Sequence, residues 1–168
     1  MNHSYFPTQS KIPANLQELI QIFDKHKNLI DSSNDDDESR RNSDAVLKVL
    51  SSDLENVGYL VEKSKKRKDK ISFKFEMDDI NLTFEADGYH SGHKIAIEVE
   101  AGRAWDNKQF LKDIFEASLI DEIEYMVVAV RMRYRGRNDF LKISNWLKAI
   151  YKSNKIKMDF KGLLLIGY

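Results

Sequence analysis

The sequence contains no cysteine. This absence excludes a disulfide framework, a thiolate zinc site and a cysteine nucleophile, and it is compatible with a reducing compartment. An excess of charge of either sign is also missing, because lysine plus arginine and aspartate plus glutamate number 27 each. Net charge therefore argues neither for a nucleic-acid partner nor against one, and the positions of the charges have to decide.

Long apolar runs are absent as well. The first residues, "MNHSYFPTQSKIPANL", lack a basic region followed by an apolar core, and no later run approaches the roughly 18 apolar residues of a membrane span. We therefore expect a cytoplasmic protein without membrane association. The 168 residues are 42% apolar, which is enough for a hydrophobic core. Without a repeat or linker we expect a single domain over residues 1–168, with an N-terminal helix and acidic loop in 1–42 and the core in 43–168.

Helical periodicity comes first along the chain. Apolar residues recur at helical spacing between Pro13 and Asp31, and again in "SDAVLKVLSSDLENVG", which ends at the helix-stopping Gly58. The period then changes to that of strands in "YLVEK", "ISFKFE", "INLTFEADG" and "KIAIEVEAG", which we expect to be antiparallel neighbours. A helix is predicted from Asp106, and another from 138 to 152 lies between the apolar strands "EYMVVAV" and "GLLLIGY".

This order of elements indicates an α/β fold. Strands that are apolar on both faces and alternate with helices require a sheet that is covered on both sides. We therefore predict a central mixed β-sheet flanked by helices on both faces, with an extra N-terminal helix.

Acidic residues gather on two of the predicted strands. Strand alternation places Glu85 and Asp87 on one side of "INLTFEADG", and Glu98 and Glu100 on one side of "KIAIEVEAG". A solvent-facing surface is one explanation. Like charges opposed across strands destabilise a sheet, however, so the group as a whole favours a bound cation. Two carboxylates and a backbone carbonyl suit a hard divalent cation whose other ligands are water and phosphate oxygens.

The spacing of Asp87 and Glu98-Val99-Glu100 resembles the motif of the PD-(D/E)xK nuclease superfamily, to which many restriction endonucleases belong. The resemblance implies a restriction endonuclease-like fold from the second helix to the last strand, with Mg²⁺ or Mn²⁺ as cofactor. By position, Asp87 and Glu98 would be the metal-binding acids and Val99 would lend its carbonyl. Ala86 replaces the name-giving proline, and Glu100 stands where lysine is usual. Glu100 is either a further metal ligand in a Glu-x-Glu variant or the trace of a lost lysine.

Other residues could complete such a site. Lys108 and Lys112 lie one turn apart on the helix predicted after the motif, so either could supply the missing positive charge, although both could equally be solvated. Glu55 near the end of the second helix and Glu85 are possible accessory acids.

Basic residues could contact a phosphate backbone. Three groups carry this prediction: the run Lys65, Lys66, Arg67 and Lys68, the pair Arg103 and Asn107 after the acidic strand, and Arg131, Arg133 and Arg135. The last group would point to one side if the strand "EYMVVAV" continued through "RMRYRGR". A hydrated loop and ordinary salt bridges are the alternative readings.

The sequence therefore supports one leading hypothesis and two rivals. The leading hypothesis is a Mg²⁺-dependent nuclease that hydrolyses phosphodiester bonds, a DNA endonuclease of restriction or phage and defence type. Double-stranded DNA would be its substrate, and the resemblance implies a homodimer or a partner protein. The first rival is a catalytically inactive nucleic-acid-binding or assembly module on the same fold. The second is an interaction protein unrelated to nucleic acid.

Overall fold

The structure, a computed structural model, describes residues 1–34, 42–63 and 69–168, and at Asn107 the backbone only. The helices are α1 (Ala14–Lys25), α2 (Lys27–Ile30), α3 (Ser43–Asn56), α4 (Gln109–Ala117) and α5 (Asp139–Ser153), and a 3-10 turn, Asp106–Lys108, precedes α4. The strands are β1 (Asn2–Phe6), β2 (Leu60–Val61), β3 (Ile71–Met77), β4 (Ile80–Ala86), β5 (Gly88–His90), β6 (Ile95–Glu100), β7 (Tyr125–Val130), β8 (Arg133–Tyr134), β9 (Arg137–Asn138) and β10 (Gly162–Gly167).

The central sheet has six strands in the order β1-β10-β7-β6-β5-β2. Strands β6, β7 and β10 run parallel to one another, whereas β1, β5 and β2 pair antiparallel with their neighbours. The sheet is therefore mixed. Because β6 and β7 are parallel, their carboxyl ends lie at the same edge, and the acids of β6 lie there.

Both faces of the sheet are covered. One face packs against α1, α2 and α3 through residues such as Ile97, Val127 and Leu164. The other face packs against α4 and α5 through residues such as Ala96 and Val128. This arrangement confirms the predicted α/β fold with helices on both faces and an N-terminal helix. Within the described residues each helix is too short or too polar to cross a bilayer.

The predicted run of four antiparallel strands is right in part. Strand β3 pairs with β4 and β5 pairs with β6, as expected. However, β2 pairs with β5, and β3 and β4 leave the central sheet as a separate hairpin. The segment "INLTFEADG" also bends at Asp87, which lies between the end of β4 at Ala86 and the start of β5 at Gly88. The expected alignment of Glu85 with the acids of β6 on one antiparallel pair is therefore wrong, because Glu85 belongs to the hairpin.

The strand "EYMVVAV" does not continue through "RMRYRGR", so the condition for placing Arg131, Arg133 and Arg135 on one side of a strand is not met. Strand β7 ends at Val130, and the chain turns into a short hairpin of β8 and β9. The Tyr134 side chain of this hairpin rests on Gly102, directly after β6. A Cβ atom at Gly102 would lie 2.5 Å from the Tyr134 ring, and its φ of +133° is also one that favours glycine. The arginine hairpin is thereby held against the loop that leaves the acidic strand.

The helix boundaries differ slightly from the predictions. The N-terminal helix breaks at His26 into α1 and α2. Helix α4 begins at Gln109, after the 3-10 turn, and not at Asp106. The side chain of Asn42 caps α3 by accepting a hydrogen bond from the Ala45 N–H at 2.8 Å.

Strand β1 has no counterpart in the sequence predictions. It pairs antiparallel with β10 and forms one edge of the central sheet. Its last residue, Phe6, is fully buried and stacks on Tyr151 with ring centroids 5.2 Å apart. The first residues of the chain are therefore part of the core.

Phe6→Ala tests the structural role of β1. We expect it to lower the free energy of unfolding by about 3–5 kcal/mol, because a fully buried aromatic ring leaves a cavity. Phe115→Ala is the matched control, since Phe115 is 40% exposed and should cost about 1 kcal/mol or less. Urea denaturation followed by circular dichroism measures both values, and equal losses in the two variants would contradict the placement of β1.

Candidate active site

Asp87 lies where β5 begins and is held against β6. Its Oδ2 accepts a hydrogen bond of 2.8 Å from the Val99 N–H, and its own N–H donates to the Ile97 carbonyl at 3.1 Å. The carboxylate thus takes the position that a partner strand would occupy beyond the start of β5. Because the N–H and C=O of a strand residue point to the same side, the Val99 carbonyl faces the same edge as Asp87.

Glu98 and Glu100 lie on the α4 face of β6. Ile97 and Val99 contribute to the core on the opposite face, as strand alternation predicted. The Oε1 atom of Glu98 is buried and has no hydrogen-bond partner among the described residues. A buried carboxylate oxygen without a donor is costly, so the Glu98 position favours either a proton or a bound cation.

Glu100 interacts with Asp113, an α4 residue that is only 6% exposed. Gln109 donates to Asp113 Oδ1 at 3.1 Å, and Asp113 Oδ2 is buried with no hydrogen-bond partner in the part of the chain that the structure describes. Burial and the shared hydrogen bond with Asp113 raise the pKa of Glu100, and burial also raises the pKa of Asp113. The two neighbouring carboxyl groups therefore favour binding a proton or a cation, either of which reduces their repulsion.

Burial also perturbs Asp87 and Glu98. It raises the pKa of Asp87 to about 6, although the hydrogen bond from Val99 acts in the opposite direction. It raises the pKa of Glu98 well above its usual range, and the charge of Asp87 adds to the effect. These carboxyl groups raise one another's pKa values because they crowd one small volume, which is the electrostatic condition for binding a cation.

A cavity of about 310 Å³ opens above this group. Its lining consists mainly of charged side chains, from the end of β2, the β3–β4 hairpin, β6 and α4: Glu62, Lys70, Thr83, Glu85, Asp87, Glu98, Lys112, Asp113 and Glu116. A second cleft of about 580 Å³ lies between α3 and β2 and shares Glu62 and Asp87 with the first. Asp87 is therefore accessible from two sides of the molecule.

The donor set fits a divalent cation held by few protein ligands. Within residues 1–34, 42–63 and 69–168, no three acid or histidine side chains stand in a position to hold one ion together. Asp87 and Glu98 supply two carboxylates at the sheet edge, and the Val99 carbonyl faces that edge. Mg²⁺ commonly takes one or two carboxylates and keeps several water or phosphate ligands, so this limited set suits it.

Of the two predicted helper lysines, one lies at the cavity. Lys112 is 58% exposed, lines the cavity and pairs with Glu116 at 2.9 Å. Lys108 lies elsewhere, since its Nζ sits 3.7 Å from the centroid of the Trp105 ring. Lys108 is held by this cation–π contact and by the neighbouring Trp146.

The two predicted accessory acids lie in different places. Glu85 lines the acidic cavity and pairs with Lys70 at 3.1 Å. Glu55 is exposed, lines the second cleft and pairs with Lys63 at 3.3 Å. Both acids lie on the approaches to Asp87, from opposite sides.

The predicted phosphate contacts divide into exposed and buried residues. Arg133 and Arg135 are exposed on the β8–β9 hairpin, and Arg103 is exposed in the loop after β6. Arg131 is only 5% exposed and lies 5.5 Å from the Tyr134 ring centroid. Its phosphate contact stays a prediction. Four further candidates, Lys65, Lys66, Arg67 and Lys68, and the Asn107 side chain lie outside the described residues.

Sequence reasoning did not assign five of the cavity's lining residues to the site: Glu62, Lys70, Thr83, Asp113 and Glu116. Glu62 directly follows β2, and its N–H donates to the Asp87 carbonyl at 2.8 Å. Lys70 precedes β3, and Asp113 lies on the buried face of α4. The only sequence signal was at Asp113, a carboxylate one turn before Ala117 and one turn after Gln109 on an otherwise apolar helix face. Glu62 and Lys70 belong to one charged run, "EKSKKRKDK", which indicated a possible phosphate contact but no position beside the acids of β6.

The profile of a protein family described as "Putative halobacteria restriction endonuclease" matches residues 6–168. The match includes β2 to β10 and every residue of the cavity. No curated protein and no solved structure matches the chain.

The raised pKa of Asp87 predicts that the folded protein loses stability as pH rises. The folded protein keeps the proton of Asp87 up to pH of about 6, whereas an unperturbed aspartate releases it near 3.8. The stabilisation is therefore present at low pH and is lost as pH rises through about 6. Asp87→Asn removes the charge and keeps an acceptor oxygen for the Val99 N–H. As pH rises from 4 to 8, the free energy of unfolding of this variant should therefore increase by about 1–3 kcal/mol relative to that of the natural protein.

Urea denaturation at pH 4 and pH 8 in the presence of EDTA measures this gain. Asp121→Asn is the control, because Asp121 is exposed and its replacement should change stability by about 0.5 kcal/mol or less at either pH. A loss of stability in Asp87→Asn at pH 8 would show that the Asp87 carboxylate is not under electrostatic stress.

Proposed function

Since this chain belongs to that restriction endonuclease family, we propose that it is a metal-dependent DNA endonuclease with its active site at Asp87, Glu98 and Glu100. Family membership supports an endonuclease function that acts on nucleic acid. The dependence on Mg²⁺ or Mn²⁺ and the identity of the site residues are our proposal. The observation that supports it best is the burial of Glu98. Its Oε1 atom has no hydrogen-bond donor among the described residues, and the charge of Asp87 acts on it.

Each residue of the proposed active site would have a separate role in hydrolysis. Asp87 and Glu98 would hold the cation, with the Val99 carbonyl at the same edge. Mg²⁺ or Mn²⁺ at this place supplies positive charge that activates water and neutralises the charge developing on the phosphate. Hydrolysis forms a bond from the water oxygen to phosphorus and breaks one P–O ester bond, and the leaving oxygen takes up a proton. The hydrogen bond between Asp87 and Val99 keeps the first acid in place throughout.

Exposed arginines near the site support nucleic acid as the substrate. Arg133 and Arg135 lie on the hairpin whose Tyr134 rests on Gly102, two residues beyond Glu100. Arginine side chains recognise phosphate oxygens through paired hydrogen bonds. A DNA backbone that reached the carboxylates from this side would pass these arginines and Arg103.

Cleavage of plasmid DNA in Mg²⁺ or Mn²⁺ is the direct test of the proposed function. We expect Asp87→Asn and Glu98→Gln to lower the cleavage rate about a hundredfold or more, because each removes a carboxylate that would hold the cation at the reacting phosphate. Gel electrophoresis of supercoiled and linear plasmid measures the rates. Glu76→Gln is the matched control, since Glu76 is exposed on β3 and lies outside the cavity.

The rival hypothesis of an inactive module makes a different prediction. Such a protein would bind DNA in a salt-sensitive manner without cutting it, and calorimetry would find no binding of Mn²⁺ even with DNA present. Cutting that survives the Asp87 and Glu98 substitutions would instead show that the activity lies in a different site or in a contaminant.

Glu100 decides between one metal ion and two. We propose that Glu100 and Asp113 hold a second cation, which would reduce their repulsion in place of a proton. Glu100→Gln should then lower the number of Mn²⁺ ions bound per chain from two to one at pH 7.5, as measured by calorimetry with DNA present. Glu76→Gln is the control, because Glu76 is exposed on β3 and lies outside the cavity. An unchanged stoichiometry would assign Glu100 to the place of a lost lysine.

Four further expectations stay predictions: double-stranded DNA as the substrate, a homodimer or partner protein, a cytoplasmic location, and a single domain over residues 1–168. A homodimer would place two such sites on one duplex and cut both strands.

A further inference from the structure

Lys70 is the most enclosed lysine at the acidic cavity. Its side chain is 19% exposed, whereas that of Lys112 on the opposite wall is 58% exposed. The Lys70 Nζ lies 3.1 Å from Glu62 Oε1 and 3.1 Å from Glu85 Oε2. The ammonium group therefore joins the end of β2 to the β3–β4 hairpin at the mouth of the cavity.

The charge of Lys70 acts on the site itself. Burial lowers the pKa of Lys70, but hydrogen bonds to Glu85 and Glu62 outweigh this effect and raise it, so the side chain stays charged. Its positive charge also lowers the pKa of Asp87, against the effect of burial. Lys70 is thus a built-in counter-cation for carboxylates that lie around the proposed metal ion.

Holding Glu62 and Glu85 together does not by itself explain the position of Lys70 at the acidic cavity. Enclosed ion pairs contribute little net stability, because removing the charges from water offsets their attraction. An ammonium group has three donors, so Lys70 can hold two carboxylates and still donate to an additional acceptor. The cavity that it lines also contains Asp87 and Glu98, where the reacting phosphate would lie.

We propose that Lys70 is a catalytic residue: its ammonium group neutralises Glu62 and Glu85 in the free protein and contacts a phosphate oxygen of the bound DNA. The proposal rests on the proposed function, since it takes Asp87 and Glu98 as the cation site. The positive charge that is missing at Glu100 would then come from Lys70, the residue directly before β3.

Lys70→Met tests this role through two quantities that move in opposite directions. Removing one positive charge near the carboxylates should strengthen Mn²⁺ binding by on the order of tenfold in calorimetry at pH 7.5. The rate of plasmid cleavage at saturating Mn²⁺ should fall about a hundredfold or more, because the phosphate loses its donor. If Lys70 only held Glu62 and Glu85 together, the variant would lose Mn²⁺ binding together with cleavage and would not strengthen it.

Two further variants complete the experiment. Lys74→Met is the matched control, because Lys74 lies on β3, four residues after Lys70, is 72% exposed and pairs with Glu76 at 3.9 Å outside the cavity. It should leave both quantities unchanged. Lys70→Arg keeps the charge and should keep the natural Mn²⁺ affinity, with a smaller loss of cleavage than Lys70→Met. If Lys70→Met fails to fold, as judged by circular dichroism, the same comparison is made with Lys70→Gln.

The outcomes separate the two proposals. If the natural protein neither binds Mn²⁺ nor cuts DNA, the proposed function is wrong and Lys70 has no catalytic role. If the natural protein cuts DNA and a folded Lys70→Met variant cuts equally fast at saturating Mn²⁺, the role of Lys70 alone is overturned. Weaker Mn²⁺ binding in that variant would also overturn it.

Discussion

The hydrogen bond from the Val99 N–H to Asp87 is the contact on which the candidate site depends. Strand β6 is longer than its partner β5, so at Val99 the sheet needs an acceptor that no strand provides. A buried N–H without a partner is costly, and the Asp87 carboxylate removes that cost. The same bond fixes the carboxylate at the edge where β6 ends, so an ordinary requirement of sheet formation orients a reactive group.

The second constraint is the repulsion among the buried acids. The folded protein gathers Asp87, Glu98, Glu100 and Asp113 where burial raises their pKa values, which opposes folding at neutral pH. The two apolar cores on either side of the sheet offset this cost. Under the proposed function, a bound divalent cation would relieve this repulsion and would thereby stabilise the folded protein.

Local rules predicted most of the elements but not all of the pairings. The periodicity of "SDAVLKVLSSDLENVG" identified α3, and the apolar runs identified β7 and β10, because buried segments carry their pattern in nearby residues. Strand β1 was missed because "NHSYF" has neither a long apolar run nor clear alternation, and it becomes a strand only by pairing with β10, some 160 positions away in the chain. The exit of the β3–β4 hairpin from the sheet was missed for the same reason, since two-residue alternation does not specify the partner strand.

The sequence by itself determined the acids of the central strands. Alternation along β6 places Glu98 and Glu100 on one face, and their spacing from Asp87 indicates a nuclease-like motif. The tertiary structure alone decided which other charged residues surround these acids. Glu62, Lys70 and Asp113 come from three separate elements, and their charges meet only after the hairpin folds over β6 and α4 packs against the sheet. The physical reason is that a local pattern reports which face of its own element a residue occupies. The charges opposite that face depend on contacts between distant segments.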